Sequence, residues 1–150
     1  MNIFIFLGIV VFVACFGGLL YLNSSGEGGK LIFVNPPYNY IVGDTLSFFN
    51  SFLFVFIFSA AFFGVAAPIA LGIEGLKYAS LLSAGLMPVY DILFAIPQVL
   101  AAYSASMLGK GAIEDYQGKG SVFAHWKDAV KWFAVGVVFL VILILARSYL

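Results

Sequence analysis

Residues 64–109 read GVAAPIALGIEGLKYASLLSAGLMPVYDILFAIPQVLAAYSASMLG. They separate a folded membrane bundle from a plain anchor. Pro68, Gly72, Gly75, Gly85, Pro88 and Pro97 punctuate this apolar run, and Glu74, Lys77 and Asp91 sit inside it. Charges and helix breakers in bilayer-like sequence cost free energy, so they point to packing or function. Outside this stretch the apolar runs are of the ordinary spanning kind.

Composition agrees. The chain has 150 residues, 63% hydrophobic and only 9% charged, with a mean hydropathy of +1.09. Soluble domains carry about 25% charged residues, so the expected class is an integral membrane protein. A formal net charge of zero gives no electrostatic footprint for nucleic acid. A single cysteine, Cys15, and a single histidine, His125, cannot build a disulfide or an imidazole–thiolate metal cage. No cofactor or metal is expected.

Ile3–Leu22 is about 20 nearly uncharged residues, enough to cross a hydrocarbon core. It lacks the basic start of a signal peptide, the first Lys or Arg being Lys30, and reads as a retained span. Residues 23–45 form a connector with a glycine-rich start, a short apolar run Leu31–Val34, and a Pro36-Pro37-Tyr38 turn suited to the headgroup layer. Leu46–Ala66 reads as a second, phenylalanine-dense span whose Ala60 and Gly64 form a small-xxx-small pair.

Ile69–Ala84 is ambiguous between a compact span, a re-entrant hairpin and an interfacial helix. On a helix Glu74 and Lys77 share a face and neutralise each other; that structural reading outweighs a transport role. Pro88–Leu108 reads as the next span, with Pro88 in its first turn and Pro97 kinking its middle. Ala101, Ala105 and Gly109 give it a small-residue face. Asp91 fits a helix N-terminus, where negative charge is favoured.

Residues 109–131 carry four lysines, the mark of a cytoplasmic loop. From Ser121, apolar residues recur at helical spacing and predict a short amphipathic interfacial helix, with Trp126 and Trp132 as anchors. Trp132–Tyr149 is the last span, with Arg147 free to snorkel. The expected fold is an all-α polytopic bundle of four or five transmembrane helices in one domain, spanning about 3–22, 46–66, 69–85, 88–108 and 132–149. Five crossings place Met1 inside and the connector outside. If Ile69–Ala84 does not cross, both exchange sides, an arrangement that Lys30 favours slightly.

Phe49-Asn50, the break Gly64-Val65-Ala66-Ala67-Pro68, then Gly72-Ile73-Glu74-Gly75 resemble the central region of the stage II sporulation protein M family. Pro88-Val89-Tyr90-Asp91 and Pro97 resemble its Pro-His-Gly and Glu-x-Pro signature, and Leu143-Ile144-Leu145-Ala146 is similar to its last span. Only the two prolines of the signature persist. The family's His-Gly falls on Tyr90-Asp91, its glutamate on Ala95, and its Asn-Gly on Glu74-Gly75. The resemblance implies a membrane scaffold rather than a chemistry.

The residues contain no catalytic motif, and no phosphate-cradling loop before a helix. The expected function is a non-catalytic scaffold or accessory subunit in a larger membrane complex or homo-oligomer, with membrane lipid as its surroundings. The alternative is a small oligomeric transporter or channel using Glu74, Lys77 and Asp91, with Tyr90 beside them.

Overall fold

The computed structural model describes residues 3–25 and 45–149, so the expectations for Leu31–Val34 and the Pro36–Tyr38 turn lie outside the described residues. The architecture is all-helical. The helices are α1 (Ile3–Ser24), α2 (Thr45–Ala61), α3 (Ala67–Ser83), a 3₁₀ helix Val89–Phe94, α4 (Ala95–Tyr116) and α5 (Val122–Arg147). Three are long and apolar enough to cross a membrane: Ile3–Ser24, the joined 3₁₀–α4 unit Val89–Tyr116, and Val122–Arg147. The chain is a membrane protein built as a helix bundle.

Chain direction follows from the contacts. Gly8 lies against Pro68 and Leu71, Gly72 against Val11, and Asn23 Nδ2 donates to Ser83 Oγ at 2.7 Å, so α1 and α3 run parallel. Phe48 stacks on Phe94 and Gly64 meets Ser106, so α2 runs parallel to α4. Ser104 Oγ donates to the Ala129 carbonyl, and Gly136 packs beside Leu100, so α5 returns antiparallel to α4. Successive helices therefore alternate in direction. The core lies between them, around Phe52, Val55, Leu71, Ala101 and Leu140.

The α2, α3 and α4 helices all end in one motif, in which two backbone N–H groups close back on the last turn. After α3, Gly85 N–H donates to Leu82 and Leu86 N–H to Leu81; after α4, Gly118 donates to Asp115 and Lys119 to Glu114. Gly85 and Gly118 sit at φ +69° and +67°, the left-handed conformation that glycine takes without steric cost. After α2, Phe63 donates to Ala60 and Gly64 to Ser59, but here a phenylalanine holds the left-handed place at φ +54°.

This turn corrects the second predicted span, which stops at Ala61 rather than Ala66. Ala60 and Gly64 are accordingly not a pair on one helix face. Gly64 is in the turn, where a Cβ would stand 2.7 Å from Ser106 Cα. The small-residue positions on α3 and α4 do mediate close packing. A Cβ on Gly75 would stand 2.7 Å from the Phe12 carbonyl oxygen, and Ala101 and Ala105 are fully buried. All of these faces are filled by the chain's own helices.

Four more expectations need correction. Residues 69–84 are not a re-entrant hairpin: α3 is continuous through Gly72 and Gly75, because those glycines face α1 instead of breaking the helix. Pro88 precedes its helix in an extended conformation (ψ 151°), and Pro97 falls in the first turn of α4, where its missing N–H leaves no bond unmade. Pro97 thus kinks nothing; the change of geometry is the 3₁₀ segment ahead of it. The predicted interfacial helix is not a separate element, since α5 runs unbroken from the Ser121 N-cap, and the lysine-rich region is mostly helical, with only residues 117–121 between α4 and α5. Trp126 is exposed, whereas Trp132 is half-buried and packs edge-on against Tyr103, a packing contact within the bundle.

Gly109 gives the sharpest test of this packing, because a Cβ there would stand 2.3 Å from the Phe63 carbonyl group. Gly109→Ala is expected to lower stability by about 1–3 kcal/mol, read as a lower unfolding temperature in detergent. Phe63→Gly, which relieves the left-handed conformation, should raise it by about 1 kcal/mol. Unchanged melting of Gly109→Ala would show that the α2–α3 turn does not seat on α4.

Candidate functional site

Two polar centres lie inside the bundle, and α3 supplies the first. Its spacing puts Glu74, Lys77 and Tyr78 on one face, three and four residues apart. Glu74 is 3% exposed, and Lys77 Nζ stands 3.2 Å from its Oε2. Lys77 also donates to Ser51 Oγ on α2. From the first turn of α4, Gln98 Nε2 donates to the same Glu74 Oε2 at 3.2 Å and to Tyr78 Oη at 3.1 Å. One carboxylate oxygen thus receives a cation and an amide, and three helices are joined through it. Gln98 Oε1 has no donor among the described residues.

The second centre forms where the 3₁₀ helix meets the end of α5. Asp91 is completely buried, and Arg147 Nε stands 3.1 Å from its Oδ1. The contact is ionic but off the line a hydrogen bond needs, and Oδ2 has no donor among the described residues. The Arg147 guanidinium also lies 5.2 Å above the Phe48 ring, which stacks on Phe94 at 3.7 Å between centroids. A cation over an aromatic face adds about 0.5–2 kcal/mol. Two sequence expectations are corrected here: Asp91 is not simply a helix-end charge, and Arg147 does not snorkel free. Tyr90, next in sequence to Asp91, is exposed and takes no part.

A third cluster closes the α4–α5 hairpin at its other end. His125 Nε2 lies 2.8 Å from Glu114 Oε2, and Lys110 Nζ lies 3.6 Å from Glu114 Oε1. Gly111 lets the imidazole approach, since a Cβ there would stand 3.2 Å from it. His125 is therefore a clasp between two helices.

Of the candidate polar residues, Glu74 and Lys77 come together as the spacing anticipates, while Asp91 belongs to a separate pair and Tyr90 to neither. Sequence reasoning missed Gln98, Tyr78 and Arg147 as members. Tyr78 was recoverable from its place one turn beyond Glu74. Gln98, an amide in an apolar run, was a weaker signal of the same kind. Each buried carboxylate faces one cation, so both centres are neutral overall. Such an arrangement fixes helices against each other.

Comparison of the chain with protein-family models, curated proteins and solved structures finds no match.

Arg147→Gln should leave the Asp91 charge buried without its cation and cost about 3 kcal/mol. The expected readout is a lower unfolding temperature in detergent, partly restored by Arg147→Lys. Equal melting of Arg147→Gln and the parent chain would show that the pair does not hold α5 in place.

Proposed function

We propose that this chain is a multi-pass, non-catalytic membrane subunit that organises a larger membrane assembly. The observation that carries the reading is the division of its surfaces. The buried charges meet partners inside the chain, while the outer faces of α1 and α5 stay apolar, with only 17% of each spanning window buried. Faces of that kind suit lipid and the helices of other membrane proteins. The resemblance to the stage II sporulation protein M family points the same way, toward a scaffold.

Five crossings support this reading better than four. Because α3 runs beside α1 from Gly8 to Asn23, it passes through most of the depth that α1 passes through. The charges of α3 are then shielded by α1, α2 and α4. Ile3, at the start of α1, and the lysine-rich end of the α4–α5 hairpin fall on one side, which the positive-inside rule makes cytoplasmic. The cell membrane is the proposed location.

A second reading, a small oligomeric transporter using Glu74, Lys77 and Asp91, draws on buried acceptors that have no hydrogen-bond donor among the described residues, Gln98 Oε1 and Asp91 Oδ2 among them. Proton and cation flux in liposomes that is unaltered by Glu74→Gln and Asp91→Asn would remove it.

Topology is checked in a Cys15→Ser background. An impermeant maleimide added to intact cells should label Leu86→Cys and spare Phe62→Cys and Lys119→Cys. Labelling of Phe62→Cys and Leu86→Cys from the same side would mean that α3 does not cross. Gentle extraction and native mass measurement should find the chain with stoichiometric protein companions or in defined multiples. A lone monomer would overturn the scaffold reading.

A further inference from the structure

The outward face of α5 has a composition that changes along its length. At about 100° per residue, Ala134, Val138, Val141 and Leu145 lie on one stripe, and all are exposed. The buried residues Ala129, Gly136 and Leu140 lie on the opposite side. Followed toward the N-terminus of the helix, the same stripe becomes Lys131, Val130, Lys127, Trp126 and Phe123, all exposed. Phe123 is 81% exposed and Trp126 51%.

Depth assigns the two parts of the stripe to different layers. Arg147, in the last turn of α5, and Lys127 are about 20 residues apart, so about 30 Å along the axis. That is about the thickness of a hydrocarbon core. The apolar part of the stripe therefore faces acyl chains, and Phe123, Trp126 and Lys127 come level with the headgroups. Lys131, one turn deeper, reaches the same layer by extending its side chain. Among the described residues neither lysine forms an ion pair. Asp128 projects about 60° around the helix from Lys131. Two ammonium groups with no salt bridge among the described residues, one turn apart and flanked by two aromatic rings, thus face the lipid at headgroup depth.

We infer that this end of α5 is a binding site for an anionic phospholipid headgroup. Lys127 and Lys131 contact the phosphate, Val130 and Ala134, both exposed on the bilayer side, meet the upper acyl chain, and Trp126 and Phe123 flank the headgroup on its water side. The occupant is a lipid because two ammonium groups at headgroup depth match a phosphate, and the apolar stripe beside them suits the acyl chain attached to it. Each lysine near an anionic surface contributes about a fivefold preference, so two give a preference on the order of tenfold or more. The assignment rests on α5 spanning the bilayer.

The test uses the full chain in mild detergent with equimolar phosphatidylglycerol and phosphatidylcholine, and counts the lipids retained by native mass spectrometry. Phosphatidylglycerol should be retained about tenfold over phosphatidylcholine, with the preference fading in high salt. Lys127→Gln/Lys131→Gln should bring the ratio to parity. Lys127→Arg/Lys131→Arg and Lys110→Gln/Lys119→Gln should keep it. No preference in the parent chain, a preference unmoved by salt, or one that survives in the double glutamine variant overturns the site. Flotation with vesicles separates the two levels: a chain that floats without headgroup preference loses only this site, whereas one that fails to float loses the spanning reading as well.

Discussion

A charge in a bilayer-spanning helix must be neutralised and kept from lipid, and that constraint organises this bundle. The critical place is Glu74, where Lys77 and Gln98 meet one carboxylate oxygen. Coulomb attraction alone does not offset the cost of desolvating both ions; the added hydrogen bonds to Gln98 and Ser51 bring the balance closer. Those bonds need α2, α3 and α4 at fixed depth and rotation. The helix that carries Glu74 and Lys77 is consequently the most enclosed of the described helices, between α1 on one side and α2 and α4 on the other.

Close helix approach makes that enclosure possible. Gly8, Gly72 and Gly75 bring α1 onto α3, and Gly64 and Gly109 bring the α2–α3 turn onto α4. The turns are set by backbone closure in one repeated motif, without side-chain caps on α3 or α4. In the α2–α3 turn, Phe63 takes the position that glycine fills in the other two. Its backbone lies against Gly109, so the same contact that requires a glycine on α4 holds a strained residue on the turn. At the other end of the bundle, Asp91, Arg147, Phe48 and Phe94 fasten the 3₁₀ helix to α2 and α5.

Much of this was legible in the sequence. Hydropathy marked the three long apolar helices, and i,i+3 spacing gave the Glu74–Lys77 pair. The small residues at Gly72, Gly75, Ala101, Ala105 and Gly109 marked the close contacts. What failed were boundaries and long-range partners. A turn closed by Phe63 carries no glycine signal at its left-handed position, so the second span ran on to Ala66. Pro97 looked like a kink only because the 3₁₀ segment before it was counted as α-helix. Trp132 and Trp126 have the same interfacial preference, but tertiary contact with Tyr103 claims one of them. Asp91 and Arg147 are more than a third of the chain apart in sequence, and no local pattern relates two residues so far apart. The surroundings of the bundle, and hence its companions, are written less plainly still: an apolar face is the same sequence whether it meets lipid or protein.

The central claim is that the Glu74–Lys77 pair acts as one unit that holds α3 inside the bundle. A double-mutant cycle on unfolding free energy in detergent micelles, using Glu74→Gln, Lys77→Met and the combined variant, tests it most directly. Pairing predicts that each single change costs about 3 kcal/mol by stranding a buried charge. The combined variant should lose clearly less than the sum, with a coupling of about 2 kcal/mol or more. Additive losses would contradict the claim, for Glu74 and Lys77 would then be independent residues that merely lie close together.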